Sequence, residues 1–263
     1  MEIFSGIILF LAGIGAGVMT GLIGASAGTF MAGILITVLG FGAYFAIGLS
    51  LLTDVSASLT SAWHYNKTKN VNLRHGMIMG AIAIIFSFAG SRLALHIPEF
   101  ALNDALGIMV LLTGIKFIKD PFRIQGTKLV KFFEERKRLS MILIGSIVGL
   151  VSGVLGMGGG IAIVITLTLV LGYSIKRAVG TSVIIMAFIS LAGGMGHFIK
   201  TAFPWQELIL TSAGAIVGAI IASKYVNKIS EKTMFTVAGI ILIILSLLII
   251  FQKFFTGMVA PLI

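Results

Sequence analysis

Shifted by 132 positions, the sequence falls onto itself. Gly13 lands on Gly145, Gly17 on Gly149, Gly21 on Gly153, Gly24 on Gly156 and Gly28 on Gly160. Further along, Gly40 lands on Gly172, Ala46 on Ala178, Gly48 on Gly180, Ser50 on Ser182 and Ser58 on Ser190. The register still holds at Ser91 and Ser223, Ile97 and Ile229, Glu99 and Glu231, and Gly107 and Gly239. Glycine-rich apolar sequences match by chance at single places. One ungapped register over about a hundred residues does not arise that way, so the chain is two copies of one unit.

Those copies are strongly apolar. Of 263 residues, 58% are hydrophobic and only 11% charged, where a soluble domain carries about a quarter. Five apolar segments run over roughly 3–23, 28–41, 44–65, 75–95 and 101–119, and five more over 141–156, 160–172, 178–198, 205–225 and 233–252. Several are long enough to cross a bilayer, and the short alternating segments of a membrane β-barrel are absent. The sequence therefore predicts an all-α polytopic membrane protein. Residues 1–119 form a first transmembrane repeat, 120–140 a basic cytoplasmic linker and 141–255 a second repeat. The opening Met1-Glu2-Ile3-Phe4 has no basic n-region and is not read as a cleaved signal peptide.

Charge gives the orientation. A net charge of +10 would suggest nucleic acid in a soluble protein; here it predicts cytoplasmic loops rich in Lys and Arg, and no nucleic-acid partner. With an odd number of segments per repeat, the second copy is turned upside down. If the loop with Lys67, Lys69 and Arg74 is inside, 16 of the 19 basic residues fall inside, leaving Arg92, Lys200 and Lys253 outside. A parallel arrangement with four crossings per half would instead put Lys176, Arg177, Lys224, Lys228 and Lys232 outside, so inverted repeats are the expectation. The second segment of each half is short. That suggests a hairpin entering and leaving on one side, and leaves six crossings plus two hairpins, eight crossings or ten all open. The stretch from Lys128 to Arg138 reads as a basic amphipathic segment along the cytoplasmic headgroups.

Each hairpin tip is a glycine run: Gly153-Val154-Leu155-Gly156-Met157-Gly158-Gly159-Gly160, and an eroded twin from Gly21 to Gly28 with Ala25-Ser26-Ala27 inside it. Such a run breaks a helix. Broken backbone at membrane depth is tolerated only where protein buries it or a wet cavity meets it. A helix restarting there turns unpaired N–H groups and the positive end of its dipole toward the break, which suits an anion. The alternative is close helix packing through small residues. After each hairpin comes a matched helix start with hydroxyls, Ser50 in Ala46–Ser50 and Thr181 with Ser182 in Ala178–Ser182. These can bond an oxyanion or their own backbone.

Asp54 is the only acid near the middle of a predicted span, the others lying in loops or at ends; its repeat mate is Met186. It must face the bundle interior, where two roles are open to it: proton carrier, or acceptor of structural hydrogen bonds. His64 and His197, near Trp63 and Trp205, read as helix ends at the membrane interface. There is no cysteine, no His/Asp/Glu set at metal-ligand spacing, and no nucleophile or nucleotide motif, so neither an enzyme nor a cofactor is expected.

With its two G-x-x-G-x-G-G-G-like hairpins, each followed by an A-x-G-[TS]-S-like helix start, the sequence resembles the TauE/SafE family of sulfite exporters across essentially its whole length. The third segments end in His64-Tyr65-Asn66-Lys67 and His197-Phe198-Ile199-Lys200, again as in that family. It departs in the eroded first glycine copy and in the missing proline after the second. The resemblance implies an inner-membrane secondary transporter exporting sulfite, thiosulfate or an organosulfonate; a channel or uniporter for another small solute, or a scaffold, is the alternative. The candidate substrate-binding residues are Gly24, Ser26, Gly28, Ser50, Gly156, Gly158, Gly159, Gly160, Thr181 and Ser182, with Asp54 the candidate for proton coupling. The site is expected to be lopsided, most anion contacts coming from Gly156 to Gly160 with Thr181 and Ser182. The lipid bilayer is the expected surrounding, and a homo-oligomer is left open.

Overall fold

The computed structural model describes residues 3–119, 135–156, 158–169, 171–199, 202–225 and 230–259. Among them are two sets of five helices and no strand. The first set is α1 (Ile3–Ile23), α2 (Ala27–Thr37), α3 (Ala43–Lys67), α4 (Leu73–Ala94) and α5 (Glu99–Lys119). The second is α6 (Lys137–Leu155), α7 (Gly160–Leu169), α8 (Ile175–His197), α9 (Trp205–Tyr225) and α10 (Glu231–Val259). Most of the basic linker and of its amphipathic stretch lies outside the described residues.

Helix length removes one of the arrangements that sequence left open, the one with ten crossings. α2 has 11 residues and α7 has 10, which at 1.5 Å per residue is about 15–17 Å against an apolar core of about 30 Å. Neither can cross. Seven of the other helices are long and apolar enough to span, and α10 at 29 residues is longer than any of them.

Small residues bring the long helices together. Gly13, Gly17 and Gly21 of α1 lie against the backbone of Thr211, Ala215 and Ala219 on α9. In the other half, Gly145, Gly149 and Gly153 of α6 lie against Met79, Ala83 and Ser87 on α4. A methyl group at Gly17 or Gly153 would run into a carbonyl oxygen of the neighbour, so these glycines serve close packing. Exchanging the two halves turns the α1–α9 contact into the α6–α4 contact, and leaves the α3–α8 and α5–α10 contacts as they are.

α3 and α8 are the centre: 72% of each apolar window is buried, against 33–50% for the other spanning helices. These repeat mates run antiparallel, with Gly48 against His197 at one end and Gly180 against Tyr65 at the other. The outer helices turn Phe4, Ile85, Ile147 and Ile209 outward, each more than 60% exposed, a surface suited to lipid rather than water.

The short helices make hairpins. α1 runs in the same direction as α9, Gly13 beside Thr211 and Gly21 beside Ala222. It ends where the Tyr65 hydroxyl donates to the Gly21 carbonyl oxygen at 3.1 Å. α2 starts back beside Asp54 and reaches the first turn of α3 through residues 38–42. In the second half, the His197 Nε2–H donates to the Gly153 carbonyl oxygen at 2.9 Å, and residues 171–174 lead into α8.

Candidate functional site

The two breaks touch each other in the middle of the molecule. A side chain at Gly28 would collide with the Gly156 carbonyl oxygen, and one at Gly160 with the Gly24 carbonyl oxygen. The contacts are reciprocal, because Gly24 and Gly156 are repeat mates, as are Gly28 and Gly160. Gly24 and Gly156 end their helices at φ +62° and +69°, left-handed backbone that a residue with a Cβ adopts only under strain.

Around this crossing the first copy satisfies itself. Asp54 is completely buried at the middle of α3. Its Oδ1 accepts from the Ala27 N–H at 3.0 Å, the Thr20 hydroxyl at 3.2 Å and the Ser58 hydroxyl at 3.4 Å. Its Oδ2 accepts from the hydroxyls of Ser26 and Ser190, each at 2.9 Å. Ser26 also caps α2, its Oγ accepting from the Gly28 N–H at 3.0 Å. The first two amides of α2 are thus met by Asp54 and by the serine bonded to it. A carboxylate stands at the positive end of the helix, where an anion is expected.

The second copy lacks these acceptors. The mate of Asp54 is Met186, whose sulfur lies beside Gly160; the mate of Ser26 is Gly158. Gly158 and Gly159 have φ of +53° and +64°. Gly158 faces across the seam, where an added Cβ would run into the Ser26 side chain and stand 2.9 Å from Asp54 Oδ2. Among the described residues, no side chain accepts from the first amides of α7. Ser152, mate of Thr20, is only 1% exposed. A Cβ on Gly159 would stand 3.0 Å from its Oγ, and no hydrogen bond of that hydroxyl is found among the described residues.

The helix-start hydroxyls are distributed differently. Ser182 lies against Gly24 but donates to its own helix at Val179 O, 2.8 Å away. Thr181 is turned away from the breaks and accepts from the Asn72 N–H at 3.0 Å. There it belongs to a cluster in which Asn72 and His75 bond the Tyr173 hydroxyl and Arg177 covers the Tyr173 ring. Burial raises the Tyr173 hydroxyl above its ordinary range, and the Arg177 charge opposes that. The Ser50 hydroxyl is buried without a partner among the described residues.

Thr20, Ser58 and Ser190 complete the Asp54 shell. The repeat register had already paired Ser58 with Ser190, whereas Thr20 carried no signal, since its mate is a serine. His197 corrects the expectation of an interfacial residue. It is 1% exposed, and its Nε2 holds Gly153 as its mate Tyr65 holds Gly21. Trp63 and Trp205 are exposed at 56% and 65%, as expected of interfacial anchors.

A cavity of about 360 Å³ adjoins the α7 break, lined by Met109, Thr113, Lys116 and Phe117 of α5, by Ile147, Val148, Val151 and Ser152 of α6, by Gly159 to Ala162 with Ile165, and by Ala25 and Ser26. No group of three or more His, Asp or Glu that could hold a metal occurs among the described residues.

Broken half-helices that meet inside a bundle of spanning helices are an arrangement found in membrane transporters. The chain belongs to the sulfite exporter TauE/SafE family, whose model matches residues 9–249. It is 25% identical over 218 residues to the probable membrane transporter protein YdhB of Bacillus subtilis, covering 83% of this chain and 89% of that one. It is 30% identical over 193 residues to a probable membrane transporter protein of Methanocaldococcus jannaschii, covering 71% and 70%. No solved structure matches it. The protein is a multi-pass membrane transporter and not an enzyme.

Proposed function

We propose that the protein exports a small sulfur-containing anion, sulfite, thiosulfate or a sulfonate, by alternating access between two inverted repeats. One observation carries the anion reading. At the α2 break the chain supplies its own carboxylate and hydroxyl acceptors, while at the equivalent α7 break the mates Met186 and Gly158 offer neither, so those amides are left for a ligand to meet. The amides of Gly159 and Gly160 and the Ser152 hydroxyl are the donors such an anion meets. The antiparallel α3 and α8, and the exchange of helix contacts between halves, support the inverted arrangement.

For Asp54 the hydrogen-bond shell favours the structural role over proton carriage. A carboxylate accepts about four hydrogen bonds and gives none, and the surrounding groups meet that capacity with hydroxyl and amide hydrogens. Coupling, if to protons, then lies elsewhere.

The test is thermal unfolding of the purified protein at constant ionic strength. A ligand that binds only the folded state at about 100 times its Kd stabilises by about 2.7 kcal/mol. Sulfite, thiosulfate or methanesulfonate should raise the Tm where chloride does not. If all three leave it unmoved at millimolar concentration, the anion site is wrong.

A further inference from the structure

The two halves do not close in the same way. In the first, α2 packs on α10, Gly33 lying against Leu245 and Ile249. The repeat mates of these three residues are Ile165, Thr113 and Phe117. All three line the 360 Å³ cavity, so α7 stands off from α5 where α2 touches α10. Between α1 and α10, the corresponding pair, lies a smaller recess of about 190 Å³ with no charged residue in its wall.

The open gap has a direction. Its deep end is the α7 break, with Gly159, Gly160, Ser26 and the Ser152 hydroxyl, which has no partner among the described residues. From there it follows α5 toward its C-terminus and α7 toward Ile165, ending at the half-buried Lys116. No acid pairs with Lys116 among the described residues. By the count of basic residues, this end faces the cytoplasm. Between the two polar ends the walls are Met109, Phe117, Val148, Val151, Ile161 and Ile165.

We infer that this cavity is the cytoplasmic mouth of the anion site and that it selects organic anions carrying an apolar body. The anionic head lies at Ser152 and the α7 amides, the body lies between α5 and α7, and Lys116 gathers anions at the opening. The inference rests on the anion reading above and adds to it a path, a collecting charge and a class of ligand. The size fits: a cavity of about 150 Å³ already takes benzene. Each buried methylene is worth about 0.8 kcal/mol, or about fourfold in affinity, so an aromatic body should gain more than tenfold over a methyl group.

The experiment measures ligand-dependent Tm of the full chain in nanodiscs with sulfite, methanesulfonate, benzenesulfonate and neutral benzenesulfonamide. Benzenesulfonate should act at concentrations at least tenfold below methanesulfonate. Lys116→Gln should weaken both anions about fivefold. Ile165→Trp, which fills the gap, should remove the preference for benzenesulfonate and spare methanesulfonate. If the two sulfonates act alike and neither variant changes them, the cavity is no part of the site, although the anion reading stands. Benzenesulfonamide acting as well as benzenesulfonate would make the gap a lipid-type groove and overturn the inference. If no anion acts at all, both readings fall.

Discussion

Replacing Asp54 by asparagine gives the most direct test of how the centre is held. The amide keeps one acceptor oxygen, so the 3.0 Å bond from the Ala27 N–H and the 3.2 Å bond from Thr20 can persist. The other oxygen becomes an NH2 group facing two hydroxyls that now donate from 2.9 Å. Hydroxyls rotate, so Ser190 can turn to accept. Ser26 already accepts from the Gly28 N–H, and it must accept the amide as well. What is lost outright is the charge assistance at five donors and the negative charge at the α2 N-terminus. Hydrogen bonds to charged groups are worth about 1.5–3 kcal/mol each, and a partly buried charge at a helix end up to about 2 kcal/mol. With rotation recovering part, Asp54→Asn should cost about 2–4 kcal/mol, lowering the Tm by roughly 4–16 °C for a chain of this size. The assay is intrinsic tryptophan fluorescence on heating, paired with sulfite efflux from proteoliposomes across a range of pH. A variant with unchanged Tm but a shifted pH dependence of efflux would refute the structural role and make Asp54 the proton carrier.

Gly28→Ala and Gly160→Ala should each abolish correct assembly, because either methyl group meets a carbonyl oxygen of the opposite break; loss of the monodisperse peak on size exclusion is the readout. Met186→Asp puts a carboxylate where Asp54 stands in the other half, so it should keep the fold and eliminate the sulfite-induced rise in Tm. Ser50→Ala removes a buried hydroxyl with no partner among the described residues, so stability should rise by up to about 1–3 kcal/mol. A loss of anion response in that variant would instead make Ser50 a ligand.

Much of this fold was readable in the sequence because lipid imposes a simple rule. A spanning helix needs about 20 apolar residues, and a broken one shows its glycines. The predicted 205–225 segment is α9 to the residue, and 3–23 is α1. Asp54 stood out for the same reason, as the lone acid near the middle of a span. What the sequence concealed was which hydroxyls reach it. Thr20 and Ser190 lie far from it along the chain, and the faces they present depend on how α1 and α8 are rotated against α3. The position of a histidine at a helix end suggested the interface for His197, but its helix end turns inward onto Gly153. The gap between α5 and α7 was equally hidden. Residue types at Ile165 and Thr113 do not disclose that they stand apart while Gly33 and Leu245 meet.

The reciprocal contact at the breaks also bears on how a duplicated sequence is free to drift. Of the five positions from Gly24 to Gly28, only the first and last are identical in the other copy, and these two touch the opposite backbone. A side chain gained at either would have to be accommodated by a change in the other half, so each copy restricts its twin. Of the three positions between them, the middle pair also meet, since a side chain at Gly158 would run into Ser26, so only one of the two can carry one. There the copies have parted, one acquiring a serine that caps its own helix and binds a resident carboxylate, the other keeping bare glycine. Two halves that began as the same unit could thereby divide the labour, one locking the centre and one left for the passenger.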